Sequence, residues 1–200
     1  MPGRLATEAD EPPPWELRVP YKRTNLAAER LVLAAARQGL DAVVVNPTTP
    51  VGDGDRLPTP TGRMISGIAN GRYRAFLPTG VNVVDVRDVA QGHLLAFERG
   101  RQGERYILGG ANLTLEELFS AVAELAGTPR PRLRLPYWAA QGLALAGLAN
   151  RHEVLLARLP MWFSWEKAAR ELGYSPGPIW PALRRAVDEA LGLGRVSGGR

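Results

Sequence analysis

The chain has 200 residues, of which 45% are hydrophobic and 22% charged, a composition that excludes a disordered chain and is typical of a globular domain. The absence of cysteine excludes disulfides, zinc–thiolate sites and thiol catalysis, and it is compatible with the cytoplasmic location that we expect. The net charge of +5 comes from arginines scattered along the chain, with Lys22 and Lys167 as the lysines, so we interpret it as solvated surface and predict no nucleic-acid partner.

The first predicted elements form one step of an α/β fold. Residues 1–20 include Pro12-Pro13-Pro14 and no apolar core, which predicts a loop or tail without a signal peptide. A helix rich in Ala, Leu, Glu and Arg is predicted over Lys22–Gln38, and Gly39 follows it as a C-terminal cap. Residues 41–46 then form a β-branched run, which predicts a strand buried on both faces, as in parallel sheets.

A long loop is predicted over residues 47–60, at the carboxyl end of that strand, where open α/β sheets bind ligands. The apolar stretch 137–149 is about 13 residues long, whereas a membrane span needs about 20, so it predicts a buried or partner-facing helix and no transmembrane segment. Thr114 and Glu117 have the spacing of a capping box. The other predicted elements are helices over 61–70, 86–99, 114–126, 166–172 and 179–191 and strands over 74–77, 81–84, 105–108 and 129–136, followed by a tail over 192–200.

Five short motifs follow one another along the chain. They are Tyr21 at the start of the first helix, then Asn46 to Gly52, Val84 to Ala90, Tyr106 to Gly110, and Lys167 to Tyr174. In this order they resemble the extended short-chain dehydrogenase/reductase family, the NAD-dependent epimerases and dehydratases. Within that family the chain is most similar to the hopanoid-associated sugar epimerases and the dihydroflavonol-reductase-like members. The resemblance extends from about Ala9 to Leu191.

The resemblance implies roles for particular residues. In this family a tyrosine exchanges a proton with the substrate as hydride moves to or from the nicotinamide, and a lysine four positions later holds the ribose and favours the phenolate. Tyr21 matches the tyrosine, as acid/base and cofactor contact, while Asn25 stands at the lysine position as the ribose contact. The loop that touches the nicotinamide corresponds to Asn46, Pro47, Thr48 and Thr49. The implied cofactor is NAD or NADP, the implied substrate is a sugar-nucleotide-like or carbonyl small molecule, and no metal site is expected.

Asn25 departs from the family pattern. An asparagine can hydrogen-bond a ribose hydroxyl, but it carries no charge that would stabilise a phenolate. The pKa of a free tyrosine is near 10, so about one part in a thousand is phenolate at neutral pH. Lys22 is the next residue after Tyr21 and therefore points about 100° around the helix from it. We expect a weak acid/base step unless another cation reaches Tyr21.

A glycine-rich turn is also missing from the residues before Tyr21. Dinucleotide folds cradle the pyrophosphate in such a turn after their first strand, and Gly109-Gly110 comes too late and lacks the third glycine. We therefore expect the C-terminal part of a family member: an α/β chain with the second half of a Rossmann-type domain over 21–110, partly on the substrate side over 47–84, and a small mixed α/β substrate-binding subdomain with C-terminal helices over 111–191. Alone, such a chain would bind dinucleotide poorly and turn over little.

Two functional hypotheses stay open. The first is a truncated, weak enzyme of this family. The second is a non-catalytic remnant or assembly module, which would form a homodimer or pair with a chain that supplies the glycine-rich half. The loop after the first strand fits a nicotinamide contact and a proline-stiffened connection equally well. We favour structural roles for Asp85 and Asp88, as caps and ion pairs, and core or partner packing for Trp138, Trp162 and Trp165.

Overall fold

The fold is a mixed α/β arrangement in which helices cover three small sheets. A computed structural model describes residues 4–57 and 59–193, in which helices and strands are interspersed over the first two thirds and the last four helices follow one another. The helices are α1 Pro20–Arg37, α2 Pro60–Ala69, α3 Val86–Arg99, α4 Leu115–Ala126, α5 Tyr137–Leu145, α6 Arg151–Leu156, α7 Glu166–Leu172 and α8 Trp180–Ala190. The strands are β1 Val44–Pro47, β2 Thr49–Val51, β3 Ala75–Phe76, β4 Gly80–Asp85, β5 Arg105–Leu108, β6 Ala111–Thr114 and β7 Leu133–Arg134.

The first helix, α1, begins two residues earlier than predicted. Pro20 occupies its first turn, where a proline loses no hydrogen bond and its fixed φ suits the helix. The helix ends at Arg37, and Gly39 behind it has a φ of +106°, a conformation that glycine adopts without steric strain. The glycine thus turns the chain from α1 towards β1, as the sequence predicts.

The direction of α1 follows from two hydrogen bonds. Near its C-terminus, the Ala36 carbonyl accepts a bond of 3.0 Å from Nε2 of Gln102, which lies just before β5. Closer to its N-terminus, Glu29 accepts a bond of 2.7 Å from Nδ2 of Asn46, near the end of β1. The helix therefore runs antiparallel to β1 and β5, and its N-terminus lies towards the edge where these two strands end.

The sheets meet at Thr48. β1 pairs with β5 in parallel, from Val44 opposite Arg105 to Pro47 opposite Leu108. β4 is the centre of a second sheet, parallel to β2 and antiparallel to β6, while β3 and β7 form a short parallel ladder. β1 and β2 are separated by Thr48 alone, so one extended segment contributes to two sheets.

Two strands lie where none was predicted. β2 falls inside the predicted loop 47–60, and β6 lies between the predicted strand 105–108 and α4. Pro50 in β2 and Asn112 in β6 are residue types that strands disfavour, so neither segment has a strand pattern of its own. Both form because β4 lies between them and hydrogen-bonds to each.

The prediction that the first strand is buried on both faces is wrong. Val44, Val45 and Asn46 are half-buried. Within residues 4–57 and 59–193, β5 is the one strand that pairs with β1, so the other edge of β1 has no neighbouring strand. A valine run that is typical of a central parallel strand therefore lies at the edge of a sheet in this chain.

The N-terminal segment that was predicted as a loop or tail packs against the rest of the chain. Ala6 forms a parallel bridge with Phe163. The carboxylate of Glu8 accepts the backbone N–H of Ile107 at 2.8 Å, and the carbonyl of Glu8 accepts Nε of Arg105 at 2.8 Å. These bonds connect the segment to β5. Of the tail predicted over 192–200, residues 194–200 lie outside the described part.

Three apolar clusters stabilise the fold. The largest joins the sheet around β4 to α2, α4 and α8, and includes Val83, Leu118 and Leu183. The second packs α3 and α7 on β5, around Tyr106 and Leu172. The third is small and separate, and it lies between α5 and α6. None of the described helices combines the length and the apolar character needed to cross a membrane.

Two helix caps predicted from the sequence are confirmed. Thr114 Oγ1 accepts the N–H of Glu117 at 3.1 Å, and the Glu117 carboxylate accepts the N–H of Thr114 at 2.8 Å, which completes the capping box of α4. The carboxylate of Asp85 accepts the N–H of Arg87 at 3.0 Å and caps α3.

Candidate functional site

The candidate site lies at the edge where β1 and β5 end and α1 begins. Tyr21 is in the first turn of α1 and is 68% exposed, and its hydroxyl has no hydrogen-bond partner within the described part of the chain. Asn25 is exposed one helical turn further on. Positions i and i+4 are neighbours on a helix, so the two side chains share one solvent-facing surface.

Lys22 pairs with Glu16 rather than with Tyr21. Its Nζ lies 3.9 Å from a Glu16 carboxylate oxygen. Burial raises the pKa of the Glu16 carboxyl above its usual value, and the Lys22 charge opposes that rise. Lys22 therefore balances a partly buried carboxylate in the turn before α1, and this contact gives no support to a phenolate at Tyr21.

The side chain of Asn46 is held between α1 and β5. Its Nδ2 donates to Oε2 of Glu29 at 2.7 Å, and the other oxygen of the same carboxylate pairs with Arg105. Glu29 and Arg105 have side chains that are 12% and 20% exposed. The carboxamide of Asn46 is thus committed to the packing of helix on sheet.

Thr48 is fixed by a buried asparagine that the sequence analysis did not single out. Thr48 Oγ1 donates to Oδ1 of Asn82 at 2.7 Å, and the same oxygen accepts the N–H of Gly110 at 2.8 Å. Asn82 Nδ2 donates to Oδ1 of Asn112 at 2.8 Å. Asn82 is only 1% exposed. One carboxamide therefore joins the segments that follow β1 and β5 to the centre of β4.

A signal for Asn82 was present in the sequence. It is the one polar residue in the run Val81-Asn82-Val83-Val84, and a buried asparagine in a strand must satisfy its hydrogen bonds with specific partners. Those partners, Thr48, Gly110 and Asn112, come from two other segments of the chain, so the pattern within β4 could not identify them.

Tyr174, at the end of the last motif, has a structural role. Its hydroxyl donates to the carbonyl of Gly109 at 3.0 Å, and Trp165 packs edge-on against its ring. Burial, followed by the charges of Asp88 and Asp85, raises the pKa of Tyr174 well above its usual value. This phenol therefore stays protonated as a donor and does not serve as an acid/base group at neutral pH.

The tryptophans that were expected in the core or at a partner surface divide into two kinds. Trp165 Nε1 donates to the Gly110 carbonyl at 3.2 Å, and Trp162 Nε1 donates to the Leu113 carbonyl at 3.3 Å. Both side chains therefore stabilise the buried side of the candidate site. Trp138 differs, because it is 75% exposed on α5.

A cleft of about 880 Å³ lies between the start of α2, the end of α8 and the loop after β2. Charges of both signs line it, including Arg56 and Arg72 and, opposite in sign, Asp55 and Glu189. Glu189 accepts the N–H of Gly54 at 2.6 Å and thereby connects α8 to the loop. The cleft borders the region 47–84 that was expected to face the substrate, and polar small molecules suit its mixed charges.

The glycines near the candidate site do not form a pyrophosphate-binding turn. Gly109 and Gly110 are explained by packing: a Cβ at Gly109 would lie 2.9 Å from Oδ1 of Asn82, and one at Gly110 would lie 2.4 Å from the carbonyl oxygen of Val83. They leave no cradle for a phosphate. In the described part of the chain, no strand is followed by a glycine-rich turn that opens a helix, which is the arrangement that holds the pyrophosphate.

Comparison with known proteins identifies the family of the chain. The model of the NAD dependent epimerase/dehydratase family matches residues 2–109. A putative dihydroflavonol 4-reductase of Synechocystis is 37% identical and aligns with 92% of the chain, and sterol demethylase protein B of Methylococcus capsulatus is 42% identical and aligns with 87%.

The same relationship appears among solved structures. The crystal structure of gox2253 superposes with a TM-score of 0.82 at 39% identity over 98% of the chain. A nucleoside-diphosphate-sugar epimerase from Pseudomonas aeruginosa superposes with a TM-score of 0.80 at 34% identity over 97%. The chain spans 58% and 57% of the two curated relatives and 63% and 62% of the two solved chains. The chain belongs to the NAD-dependent epimerase/dehydratase family of extended short-chain dehydrogenases/reductases, with their Rossmann-type fold.

Proposed function

We propose that this chain carries the nicotinamide-facing and substrate-facing part of an NAD(P)-dependent oxidoreductase, epimerase or dehydratase, with Tyr21 as its acid/base. The observation that carries the proposal is the placement of an exposed Tyr21 on the helix that begins where β1 and β5 end. At the same edge, Thr48 is fixed by the buried carboxamide of Asn82. An accessible phenol and a rigid loop at this edge are what proton transfer beside a nicotinamide requires.

In this proposal the residues of the chain divide the work. The Tyr21 hydroxyl gives a proton to the substrate oxygen or removes one from it, and Asn25 hydrogen-bonds the ribose. Residues Pro47, Thr48 and Thr49 form the wall against the nicotinamide, while Asn46 supports that wall through Glu29. The nicotinamide, when bound, supplies or accepts the hydride.

The proposed substrate is a small molecule that carries a carbonyl or a secondary alcohol. The names of several relatives support this class, since they describe a dihydroflavonol reductase, a 2-alkyl-3-oxoalkanoate reductase and a ketoreductase. The second proposed substrate class is a sugar nucleotide. The name of the epimerase from Pseudomonas aeruginosa supports it. In both classes the reacting group is an oxygen that Tyr21 could protonate.

The first prediction is that the chain binds the nicotinamide half of the cofactor and not the adenosine half. Nicotinamide mononucleotide should show concentration-dependent NMR line broadening with the chain, and AMP should not. Thr48→Val should weaken binding of the mononucleotide, because it removes the hydroxyl that Asn82 holds. Thr128→Val is the matched control, since it removes a threonine hydroxyl that donates to Ile68 at 3.3 Å in another part of the fold.

Two results would contradict this proposal. Binding of AMP as tight as that of the nicotinamide mononucleotide would mean that the residues around Tyr21 do not select the nicotinamide. Equal effects of Thr48→Val and Thr128→Val on binding would mean that the loop after β1 does not contact this ligand.

A second function, that of an assembly module, is supported by the surface of the same elements. β1 has an edge without a strand neighbour in the described part of the chain. The free N–H and C=O groups of such an edge can pair with a strand of another chain. The exposed side of α1 that carries Tyr21 also carries Leu31 and Val32, 72% and 37% exposed. In this reading the chain pairs with a polypeptide that supplies a glycine-rich half.

A further inference from the structure

The α5 helix buries small side chains and exposes large ones. Ala140 and Ala144 are 2% and 5% exposed and belong to the cluster between α5 and α6, whereas Trp138 and Leu145 are 75% and 72% exposed. Positions 138 and 145 are two turns apart and lie within about 20° of one another around the helix. A helix that faces water normally turns its large apolar residues inward. The exposed side of α5 therefore has the apolar composition that is typical of a surface in contact with a partner.

This surface continues past the end of the helix. The N–H of Leu148 donates to the carbonyl of Leu143 at 2.9 Å, and that of Gly147 donates to Ala144 at 3.2 Å, so the turn closes on the last turn of α5. Leu148 is 76% exposed. Trp138, Leu145 and Leu148 together are called the α5 apolar face below.

The stretch of sequence that carries this face is rich in arginine and poor in acidic residues. Between residues 129 and 160 the sequence has five arginines and one acidic residue, Glu153. The five arginines lie in and around the helix pair α5–α6 in the sequence, and we call them the hairpin arginines. They are Arg130, Arg132, Arg134, Arg151 and Arg158.

Two contacts connect the hairpin arginines to the α5–α6 pair. Arg151 Nε donates to the Ala144 carbonyl at 3.2 Å, at the end of α5. Leu135, which follows Arg134, packs in the cluster between α5 and α6. Among the described residues, Arg130 pairs with Glu124, while the other four hairpin arginines have no ion-pair partner. Arg158 lies over the ring of Trp15, 5.7 Å from its centroid, and Arg151 donates to backbone carbonyls, so Arg132 and Arg134 are the ones whose charges have no partner among the described residues.

Charge decides which kind of partner fits. A second copy of the chain would bring one set of hairpin arginines against another, because a two-fold interface places the same patch on both sides. Nucleic acid would match the arginines, and the Trp138 ring would offer a base a stacking surface, but the aliphatic Leu145 and Leu148 would gain no partner there. An anionic lipid surface matches both features, since aliphatic and indole groups enter the boundary between headgroups and acyl chains while guanidinium groups contact phosphates.

We propose that the α5 apolar face and the hairpin arginines dock this protein on an anionic lipid surface. The α5–α6 pair has its own small apolar cluster, and the α5 apolar face lies on a different helix from Tyr21. The docking is peripheral: α5 is nine residues long and lies along the surface. This inference goes beyond the proposed function and requires neither cofactor nor turnover.

The test is flotation of the full chain with lipid vesicles. We expect binding to phosphatidylcholine vesicles that contain about 30% phosphatidylglycerol and much weaker binding to phosphatidylcholine alone. The double variant W138S/L145S should lower partitioning roughly tenfold or more, because it removes two apolar groups from the boundary region. The double variant R132Q/R134Q should lower binding to the anionic vesicles by about tenfold and leave binding to the neutral ones unchanged.

Matched controls separate docking from a general loss of apolar surface or of charge. L94S/F97S removes two exposed apolar side chains from α3, 57% and 88% exposed, and R23Q/R37Q removes two positive charges from α1. Both should float like the unmodified chain, and all variants should show the same thermal unfolding.

Three results would overturn the proposal. One is the absence of flotation with the anionic vesicles. Another is equal flotation of W138S/L145S and the unmodified chain. The third is a concentration-dependent dimer that W138S/L145S abolishes in sedimentation experiments, which would assign the α5 apolar face to a second copy.

Discussion

At the scale of single residues, the carboxamide of Asn82 sets the position of the loop after β1. It accepts from Thr48 and from Gly110, and it donates to Asn112, while only 1% of the residue is exposed. Thr48 follows β1, whereas Gly110 and Asn112 lie directly before and within β6. A buried group with several partners is costly to replace, because each partner then keeps an unsatisfied donor or acceptor.

We therefore predict that Asn82→Leu, which keeps the size of the side chain, lowers the free energy of unfolding by about 1–3 kcal/mol or more. Thr48→Val removes one donor, and Asn82 Oδ1 still accepts from Gly110, so its cost should be smaller, about 1 kcal/mol. Urea denaturation of the two variants measures both values. Equal costs for the two variants would show that the carboxamide does not organise this network.

A second prediction at this scale concerns the residue one turn after Tyr21. Fused behind the glycine-rich part of a relative, the chain should gain activity from Asn25→Lys, because an ammonium beside Tyr21 favours its phenolate. We expect kcat to rise by more than about tenfold. Tyr21→Phe in the same fusion should remove the gain. If kcat is unchanged by Asn25→Lys, asparagine at this position is not what limits proton transfer.

At the scale of elements, α4 offers a test of local stabilisation. Thr114→Ala should lower the free energy of unfolding by about 1 kcal/mol, the usual effect of losing an N-cap hydroxyl. At neutral pH, Glu117→Gln should lower the free energy of unfolding by less than Thr114→Ala does. The Thr114 N–H, and then its hydroxyl, lower the pKa of Glu117 below its usual value. A carboxyl group whose pKa is lower in the folded than in the unfolded chain stabilises the fold at pH values above its unfolded pKa. This stabilisation is lost as the pH falls through the pKa of the folded chain.

The cost of Glu117→Gln should therefore shrink as the pH is lowered from 7 to below about 4. Chemical denaturation of both proteins at several pH values measures it. Ser120, on the same helix and not part of the cap, provides the control Ser120→Ala, whose cost should not change with pH. A cost of Glu117→Gln that is constant with pH would mean that its charge does not contribute to the capping box.

The elements that the sequence predicted are those stabilised by their own residues. α1 with Gly39, α3 with its Asp85 cap and α4 with its Thr114 cap were found because propensity and caps lie within the element. β2 and β6 were missed because pairing with β4 makes them strands despite Pro50 and Asn112. The candidate site divides in the same way: the family motif indicated Tyr21 and Thr48, whereas Asn82 depends on partners from distant segments.

At the scale of the whole molecule, the surface of α1 and the edge of β1 lead to the last prediction. The side of α1 that carries Tyr21 has an exposed Leu31 and Val32, while β1 has one strand neighbour in the described part of the chain. The chain spans 57–63% of the length of the relatives compared. We predict that a polypeptide carrying the glycine-rich half of a relative, co-expressed with this chain, forms a complex that binds NADH more tightly than the chain alone.

Leu31→Glu should weaken that complex, because it places a charge on the apolar side of α1, whereas Leu57→Glu should have no effect, since Leu57 is 89% exposed in the loop before α2. Co-purification measures the complex, and quenching of tryptophan fluorescence measures NADH binding. If the chain alone binds NADH as tightly as the mixture does, the cofactor site is complete in these 200 residues and the pairing hypothesis fails. If the complex forms equally well with Leu31→Glu, the two parts meet elsewhere, because a buried carboxylate on α1 would otherwise cost several kcal/mol or about two orders of magnitude in affinity.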